Sequence, residues 1–461
     1  MLLKFINRVD ELNNLNERYN SSQSEFIIIY GRRRIGKTEL IKQFAKDKNH
    51  FYFLARKEPI PMEINRFREK FSKKFNIYLE ETKDFESLFK NIVENKNFSE
   101  KFVFIIDEFP YLIESYKPIV SVFQGVWDEV LKNENILLIL TGSSVSMMET
   151  EVLSYKSPLY GRRSSQMNIK ELKLKYLQDF FPAYNAINLF RTFGALGGIP
   201  FYLNEFSPKR DFYENVEHTF FNKHNLLFQE AEILLKEELR EPNTYFNILK
   251  AMIDGATRLT DISKQSMVDI TNMNKYISVL QTRNLVRKTY PVTMPSKKRN
   301  FLYKVTDNYF RFWLSYVYPY REEIEENPSE ISHFFKNQYP EYMGPIFEDI
   351  VMKLIPSIDT FQFSKVGSWW YKEDEIDIVA INPRSNKILF GECKWQNKKM
   401  PRGIYEQLLE KKEKVRWKNK KRNESIALFS KNGFTESLKK VADQEDVLLF
   451  DLKKIATLLW K

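Results

Sequence analysis

Short apolar runs alternate with helical patterns over the first 170 residues. The runs are FIIIY (26–30), HFYFLA (50–55), FVFII (102–106), ILLILTG (136–142) and QMNI (166–169). They are continuous rather than alternating, which is typical of strands that are covered on both faces of a parallel sheet. We therefore expect an α/β core over 1–170.

The pattern changes three times after this core. Residues 171–240 read as helical and are interrupted by GALGGIP at 194–200, and 241–325 read as three short helices followed by two strands. Mixed helices and strands return over 326–461. We expect four domains with these boundaries.

Composition narrows the class of protein. Hydrophobic residues make up 43% of the 461 residues, which excludes global disorder. A single cysteine, Cys393, excludes an intramolecular disulfide, and four scattered histidines disfavour a zinc site. No apolar run approaches about 18 residues, so we expect no membrane contact and a soluble, cytoplasmic protein. The net charge of +11 is a mild basic surplus that raises the question of a polyanionic partner.

The strongest motif follows the first apolar run. Gly31 is separated by four residues from Gly36, Lys37 and Thr38, in the pattern G-x-x-x-x-G-K-[ST] between a predicted strand and a predicted helix. Backbone N–H groups of such a loop surround phosphate, Lys37 reaches the β- and γ-phosphates, and the Thr38 hydroxyl can ligate Mg²⁺. This predicts ATP and Mg²⁺ as cofactors.

Acidic residues end the third apolar run. Asp107 and Glu108 follow FVFII at the edge of the sheet where the phosphate loop also lies. Asp107 is the candidate for holding Mg²⁺, and Glu108 is the candidate for polarising the attacking water.

Two further sets of residues are candidates for contact with the γ-phosphate. ILLILTG contains the hydroxyl residue Thr141 and is followed by Ser143 and Ser144, of which Ser143 is our candidate. Arg162 and Arg163 follow in PLYGRR, and either guanidinium is suited to neutralise charge on the γ-phosphate, in the same chain or in a neighbouring subunit. An ordinary surface arginine pair is the alternative.

These motifs together resemble the archaeal-type ATPase family of AAA+/STAND-like P-loop NTPases. The resemblance covers about 1–230 and rests on INRVDEL (6–12), GRRRIGKT, IIDEFPYL, TGSS, PLYGRR and GGIPFYL (197–203). It implies a five-stranded sheet of order 5-1-4-3-2 with a helical lid over 171–240, in which GGIP forms a sensor-like turn. It also implies that Asn7 and Arg8 lie near the adenine. The loop residues that fit this family are Arg32, Arg33, Arg34 and Ile35.

The module at 241–325 resembles a winged helix-turn-helix. Such a fold can place a helix in a DNA groove and its hairpin on phosphates. The basic residues that favour this role are Lys275, Arg283, Lys297, Lys298 and Arg299. A winged helix that serves only for packing or partner contact remains an equal alternative.

The carboxyl-terminal region carries charged residues within apolar strands. Asp377 lies in EIDIVAI, Glu392 and Lys394 lie on one face of GECKW, and Glu348 lies on a predicted helix. Converging carboxylates such as Asp377 and Glu392 can hold Mg²⁺, and a nearby lysine can orient water for phosphodiester hydrolysis.

This set resembles the PD-(D/E)XK nuclease superfamily, and also an uncharacterised domain often fused to archaeal-type ATPases, over about 330–461. The catalytic residues that the resemblance implies are Glu348, Asp377, Glu392 and Lys394. One departure is Ile376, which stands where the nuclease pattern has proline. An inactive nuclease-like fold kept for binding is the alternative.

Most of the positive charge lies beside this candidate site. Residues 394–422 hold 12 Lys and Arg against 3 Glu. We therefore expect a Mg²⁺-dependent ATPase whose nucleotide state controls a nuclease-like, nucleic-acid-binding domain, with DNA as the favoured partner. The alternative is an ATP-dependent signalling or DNA-binding switch. Whether the chain forms a homo-oligomer stays open.

Overall fold

A computed structural model describes most of the chain. The residues that it describes are 5–294, 300–358, 362–419 and 421–460.

The chain forms two compact units whose division is not continuous in sequence. The first unit contains Met1–Leu172 and Ile199–Asn204. The second contains Lys173–Gly198 and Glu205–Lys461. The GGIP segment therefore divides between them: its two glycines belong to the second unit, whereas its isoleucine and proline belong to the first.

A parallel sheet forms the centre of the first unit. Its strands are β1 (Glu25–Tyr30), β2 (His50–Leu54), β3 (Phe102–Asp107), β4 (Ile136–Gly142) and β5 (Ser165–Asn168). Their order is β2-β3-β4-β1-β5, which is the expected order read from the other edge. Every residue of β1, β3 and β4 is buried, as the continuous apolar runs predict.

Helices cover this sheet. They are α1 (Val9–Tyr19), α2 (Lys37–Ala45), α3 (Ile60–Phe75), α4 (Phe85–Asn95), α5 (Phe109–Ser115), α6 (Ile119–Gly125) and α7 (Val145–Met147), with wider helical turns at Val126–Leu131 and Met148–Val152. Aromatic side chains fill the layer under α3 and α4. The buried rings of Phe67 and Phe71 pack on Phe51 of β2 at centroid distances of 4.8 and 4.9 Å.

The second unit contains the remaining elements except one short helix. Its helices are α8 (Leu177–Phe180), α9 (Ala186–Leu196), and, after α10 (Pro200–Leu203) of the first unit, α11 (Phe212–Thr219), α12 (Leu226–Glu238), α13 (Pro242–Ile253), α14 (Leu259–Ser266), α15 (Ile270–Thr282), α16 (Asn308–Tyr316), α17 (Arg321–Glu326), α18 (Pro328–Leu354), α19 (Arg402–Glu413), α20 (Glu436–Gln444) and α21 (Leu452–Leu459). Short 3₁₀ turns lie at Leu174–Tyr176, Tyr318–Tyr320 and Ile355–Ser357.

A second five-stranded sheet lies near the carboxyl end. Its strands, numbered after the hairpin β6 (Val286–Thr289) and β7 (Leu302–Val305), are β8 (Lys365–Tyr371), β9 (Asp374–Asn382), β10 (Lys387–Lys394), β11 (Asn423–Ser430) and β12 (Leu448–Asp451). The order is β12-β11-β10-β9-β8. β8, β9 and β10 pair antiparallel, and β10, β11 and β12 pair parallel. This mixed α/β arrangement agrees with the expectation for 326–461.

The middle module has the expected order of three helices and an antiparallel hairpin. Two described residues between β6 and β7 bond to the edge strand β8: the N–H of Val292 donates to the Ser368 carbonyl at 3.0 Å, and Asn300 accepts from Trp370 Nε1 at 3.2 Å. These contacts agree with a packing role for the hairpin. Lys297, Lys298 and Arg299 lie outside the described residues, so DNA contact by this module stays a prediction.

Helix lengths and hydropathy bear on membrane contact. Within the described ranges, no helix combines the length and the apolar character needed to cross a bilayer.

Candidate functional site

Two glycines shape the loop between β1 and α2. Gly31 has φ +153°, and a Cβ atom there would lie 2.4 Å from the carbonyl oxygen of Ile169. Gly36 has φ +91°, a conformation that side chains strongly disfavour. The loop can therefore turn tightly and present its N–H groups at the first turn of α2.

Lys37 begins α2 and folds back over the loop. Its buried ammonium donates to the carbonyl oxygens of Gly31 at 2.9 Å and Arg32 at 3.2 Å. These contacts place a positive charge at the centre of the loop, where a phosphate chain would bind.

The carboxylate of Asp107 gathers three hydroxyl groups at the edge of the sheet. It accepts hydrogen bonds from Thr38 at 2.8 Å, from Tyr52 at 2.7 Å and from Thr141. Asp107 is only 1% exposed, and it forms no ion pair with the residues that the structure describes. A buried carboxylate that lacks a cationic partner and faces the loop threonine fits Mg²⁺. Thr38 and Asp107 would hold the ion, which would neutralise charge on the nucleotide phosphates.

Glu108 is positioned by an unusual backbone conformation. Its φ of 56° lies in the left-handed region, at the point where β3 ends and α5 begins. The carboxylate accepts two contacts from the Ser143 hydroxyl, at 2.7 and 2.6 Å, and one from the Ser143 N–H at 3.1 Å. β4 therefore holds the candidate base next to Asp107, and Ser143 orients it.

Arg8 anchors the amino-terminal segment to the phosphate loop. Its guanidinium donates to the carbonyl oxygens of Ile35 at 3.1 Å and Lys170 at 2.7 Å, and it pairs with Glu11 at 3.1 Å. Asn7 precedes it with φ 62°. The structure thus brings Arg8 to the loop, and contact of Asn7 and Arg8 with adenine stays a prediction.

The loop arginines contact neighbouring elements of the first unit. Arg33 donates to the Tyr111 hydroxyl at 2.9 Å, and the Arg34 guanidinium lies 4.0 Å from the centre of the Phe201 ring. Pro200 lies within 3.8 Å of the position that a Cβ of Gly36 would take. The Ile199–Asn204 segment therefore packs directly on the loop.

The two arginines of PLYGRR have separate surroundings. Arg162 forms a two-pronged pair with Asp128, in which Nε donates to Oδ1 at 2.9 Å and Nη2 contacts Oδ2 at 2.7 Å, and so supports the fold of the first unit. The Arg163 guanidinium lies 5.4 Å from the centre of the Tyr160 ring. Contact of either arginine with a γ-phosphate stays a prediction.

A second group of charged residues forms where β9 and β10 end their pairing. The last paired residues are Ile378 and Gly391, so Asp377 and Glu392 follow side by side. Lys394 Nζ lies 3.1 Å from Glu392 and 3.5 Å from Asp377. Asp377 is fixed further by the Cys393 N–H at 2.9 Å.

Glu348 of α18 interacts electrostatically with Asp377 of this group. Burial and the nearby carboxylate of Asp377 raise the pKa of Glu348 to about 8. Burial and Asp377 also raise the pKa of Glu392. Although burial opposes it, the pKa of Lys394 is raised because Asp377 and Glu392 stabilise its ammonium. All four residues expected in this site therefore lie together.

Lysines take part in the charge balance of this group. Lys411 of α19 donates to Glu392 at 3.0 Å, opposite the contact from Lys394. Within the described part of the chain, no three acidic, histidine or cysteine side chains form a ready metal cage. A metal-binding role for Asp377 and Glu392 stays a prediction, because a metal ion would have to replace the lysine ammonium groups that now pair with them.

Ion pairs also neutralise much of the basic segment 394–422. Lys412 pairs with Glu424 at 2.6 Å, and Lys414 pairs with Asp374 at 2.8 Å. Arg402 and Arg422 are paired as well. The positive charge that this segment presents to solvent is therefore smaller than its sequence suggests.

Sequence reasoning missed two residues of these sites. Tyr52 reads as one aromatic residue in an apolar strand, yet its hydroxyl bonds to Asp107. Lys411 reads as one charge in a basic helix, yet it bonds to Glu392. In neither case does a spacing or motif reveal the contact, which forms between segments distant in sequence.

Comparison with known proteins bears on both units. Residues 5–206 match a family described as an ATPase domain predominantly from Archaea, and residues 313–422 match a family described as Archaea bacterial proteins of unknown function. An uncharacterised protein of Methanocaldococcus jannaschii is 35% identical over 412 residues, covering 87% of this chain and 91% of that protein.

The chain belongs to the archaeal ATPase family. An uncharacterised ATP-binding protein of the same organism is 47% identical over 47 residues, which are 10% of this chain and 80% of that protein. Among solved structures, a Walker-type ATPase of Pyrococcus abyssi matches with a TM-score of 0.48 and 20% identity, covering 68% of this chain and 96% of that one. The Aeropyrum pernix ORC1 protein in complex with DNA matches with a TM-score of 0.36 and 12% identity, covering 71% and 94%.

Substitutions at Glu108 and Ser143 test the ATPase centre. We expect Glu108→Gln to keep ATP binding and to lower kcat by about 10²–10⁴-fold, because an amide cannot take a proton from water. Ser143→Ala should lower kcat by about 10-fold, because the Ser143 N–H still holds the carboxylate. Steady-state phosphate release measures kcat, and nucleotide titration measures binding. The exposed Ser121→Ala is the control, and an unchanged rate in Glu108→Gln would remove Glu108 from the mechanism.

The raised pKa of Glu348 predicts a pH-dependent stability. A protonated Glu348 stabilises the fold fully below the ordinary pKa of 4.5, and this contribution is lost as pH rises through about 8. Glu348→Gln mimics the neutral form. In EDTA we therefore expect its Tm to match that of the unsubstituted protein near pH 5 and to exceed it by about 2–4 °C near pH 9. The exposed Glu341→Gln on the same helix should show no such divergence, and parallel pH curves for Glu348→Gln would contradict the prediction.

Proposed function

We propose that this ATPase is Mg²⁺-dependent and that its nucleotide state controls a nuclease-like, nucleic-acid-binding domain at the carboxyl end. The first part draws on the phosphate loop, the uncompensated carboxylate of Asp107 and the oriented carboxylate of Glu108. These groups would bind the nucleotide phosphates, hold the metal and activate water.

The observation that carries the proposed control is the path of the chain through 186–204. Pro200 and Phe201 pack on the phosphate loop within the first unit. Gly197 ends α9 with φ 64°, and α9 itself belongs to the second unit. A change in the loop therefore acts on a segment that is covalently joined to α9 through two glycines.

Within the second unit, α9 packs on the residue that follows Lys394. The ring of Phe190 stacks on Trp395 at 5.7 Å, and Phe347 of α18 packs on the same indole at 5.3 Å. Glu348 is the next residue on α18. A shift of α9 would therefore move both the strand end that carries Lys394 and the helix that carries Glu348.

The chemistry proposed for the second site is metal-assisted phosphodiester hydrolysis. Asp377 and Glu392 would hold Mg²⁺, which would polarise a phosphodiester oxygen, and Lys394 would orient the attacking water. Glu348, kept protonated near neutral pH by its raised pKa, can donate a hydrogen bond without adding another negative charge.

One observation favours a second function, an ATP-dependent switch with an inactive nuclease-like domain. Lys394 and Lys411 each donate to a different oxygen of the Glu392 carboxylate and together neutralise its charge. Such pairing stabilises the empty site without any metal and suits a domain kept for binding alone.

Asp377→Asn separates the two functions. If the domain is a nuclease, we expect Mn²⁺ binding measured by calorimetry to fall by one ion per chain and cleavage of DNA to fall by at least about 100-fold, with ATP hydrolysis unchanged. Asp374→Asn, on the same strand and paired with Lys414, is the matched control. An unsubstituted protein that cuts neither DNA nor RNA with Mg²⁺ or Mn²⁺, with or without ATP, would establish the switch.

Trp395→Leu tests the proposed control. Loss of the stack on Phe190 should make nucleic-acid affinity independent of ATP while ATP hydrolysis continues, and Trp395→Phe should restore most of the dependence. Trp417→Leu, in the same domain but outside this stack, is the control. Fluorescence anisotropy with and without a non-hydrolysable ATP analogue measures the ratio of affinities, and a ratio unchanged in Trp395→Leu would exclude this path.

A further inference from the structure

A cavity of about 550 Å³ lies between β2 and α3 on the first unit. Lys70, Lys73 and Lys74 of α3 line it together with Phe51 and Tyr52 of β2. All three lysines are exposed to solvent, so the cavity is open to a ligand from outside.

No acidic side chain of the described ranges balances the positive charge of this cavity. Among the described residues, none of the three lysines forms an ion pair. Burial and the neighbouring charges of Arg66 and Arg56 lower the pKa of Lys70, and burial and Lys70 lower that of Lys74. Like charges therefore surround these ammonium groups, in contrast with the paired lysines of 394–422.

Protection of an exposed sheet edge explains only part of this arrangement. β2 is the edge strand, and Lys74 donates to its His50 carbonyl at 2.6 Å, as lysines at sheet edges often do. Lys70 and Lys73 make no such bond to the strand among the described residues. Their charge is therefore available to a ligand.

We infer that this cavity binds the phosphate backbone of a nucleic-acid strand. Point charges in a row along a helix suit successive phosphates, because they hold a backbone without fixing its sequence. The Lys70 ammonium lies over the Tyr52 ring, 5.8 Å from its centre, so a base can stack on this ring when Lys70 turns towards a phosphate. The site lies on the ATPase unit, so the inference does not depend on the carboxyl-terminal site.

Tyr52 joins this surface to the catalytic centre. Its ring lines the cavity, and its hydroxyl donates to the Asp107 carboxylate at 2.7 Å. A strand stacked on the ring restrains the side chain that orients Asp107. Tyr52 is thus a positioning residue through which a bound strand raises the rate of ATP hydrolysis.

Binding is tested on the full chain with a fluorescein-labelled oligothymidylate of 20 nucleotides. Without divalent metal, so that nothing is cut, we expect Lys70→Gln/Lys73→Gln to weaken affinity by about 10-fold in 100 mM salt. The slope of log affinity against log salt should fall by about 1.4, or 0.7 for each lost phosphate contact. Lys74 is kept because it supports the strand.

The matched control removes the same charge elsewhere on the unit. Lys90 and Lys117 are exposed but paired with Glu86 at 2.8 Å and with Glu151 at 3.4 Å. Lys90→Gln/Lys117→Gln should bind like the unsubstituted protein. Equal affinity and slope in the two double variants would overturn the inference, and so would saturable binding of tripolyphosphate at Lys70 and Lys73 without binding of the oligonucleotide.

Tyr52→Phe tests the link to catalysis. Saturating oligonucleotide should raise kcat for ATP at least about 3-fold in the unsubstituted protein and leave it unchanged in Tyr52→Phe, although the variant still binds the strand. A KM for ATP that stays constant would assign the effect to catalysis. A Tyr52→Phe variant stimulated as strongly as the unsubstituted protein, or an unsubstituted protein without stimulation, would overturn this role.

Discussion

The buried carboxylate of Asp107 is the constraint on which the first unit depends. Hydroxyl groups from three other segments, Thr38, Tyr52 and Thr141, converge on its two oxygens. These hydrogen bonds hold the carboxylate in place, but they do not neutralise its negative charge, because no cation of the described chain pairs with it. The same contacts order the phosphate loop, β2 and β4 around β3, and the proposed function places a divalent cation beside this carboxylate.

The chain passes from the second compact unit to the first between Gly198 and Ile199, next to the segment that packs on the phosphate loop. Pro200 and Phe201 pack on the phosphate loop, whereas α9, immediately before them, packs through Phe190 on Trp395. Consecutive stretches thus belong to different compact units, and two glycines join them. In the proposed control, a loop that changes its contacts with a nucleotide would act on α9 through these covalent bonds.

Charge pairing decides which basic surfaces are available to a partner. The segment 394–422 contains 12 of the 72 basic residues, but carboxylates from the same domain neutralise several of them. The shorter row on α3 has no such partners among the described residues and faces a cavity beside Tyr52. Local pairing therefore matters more than the number of charges in a segment when a polyanion is considered.

The sequence by itself determined the features whose residues are neighbours along the chain. The phosphate loop, the acidic end of β3 and the buried strands could be predicted because each is written in neighbouring residues, and the strand order followed from the family resemblance. The structure brought Glu348, Asp377, Glu392 and Lys394 together as expected. Only the tertiary structure decided the contacts of Tyr52, Lys411 and Phe201, and the pairing of Arg162 with Asp128. These contacts join segments far apart in the chain, where side-chain direction and burial, rather than spacing, select the partner.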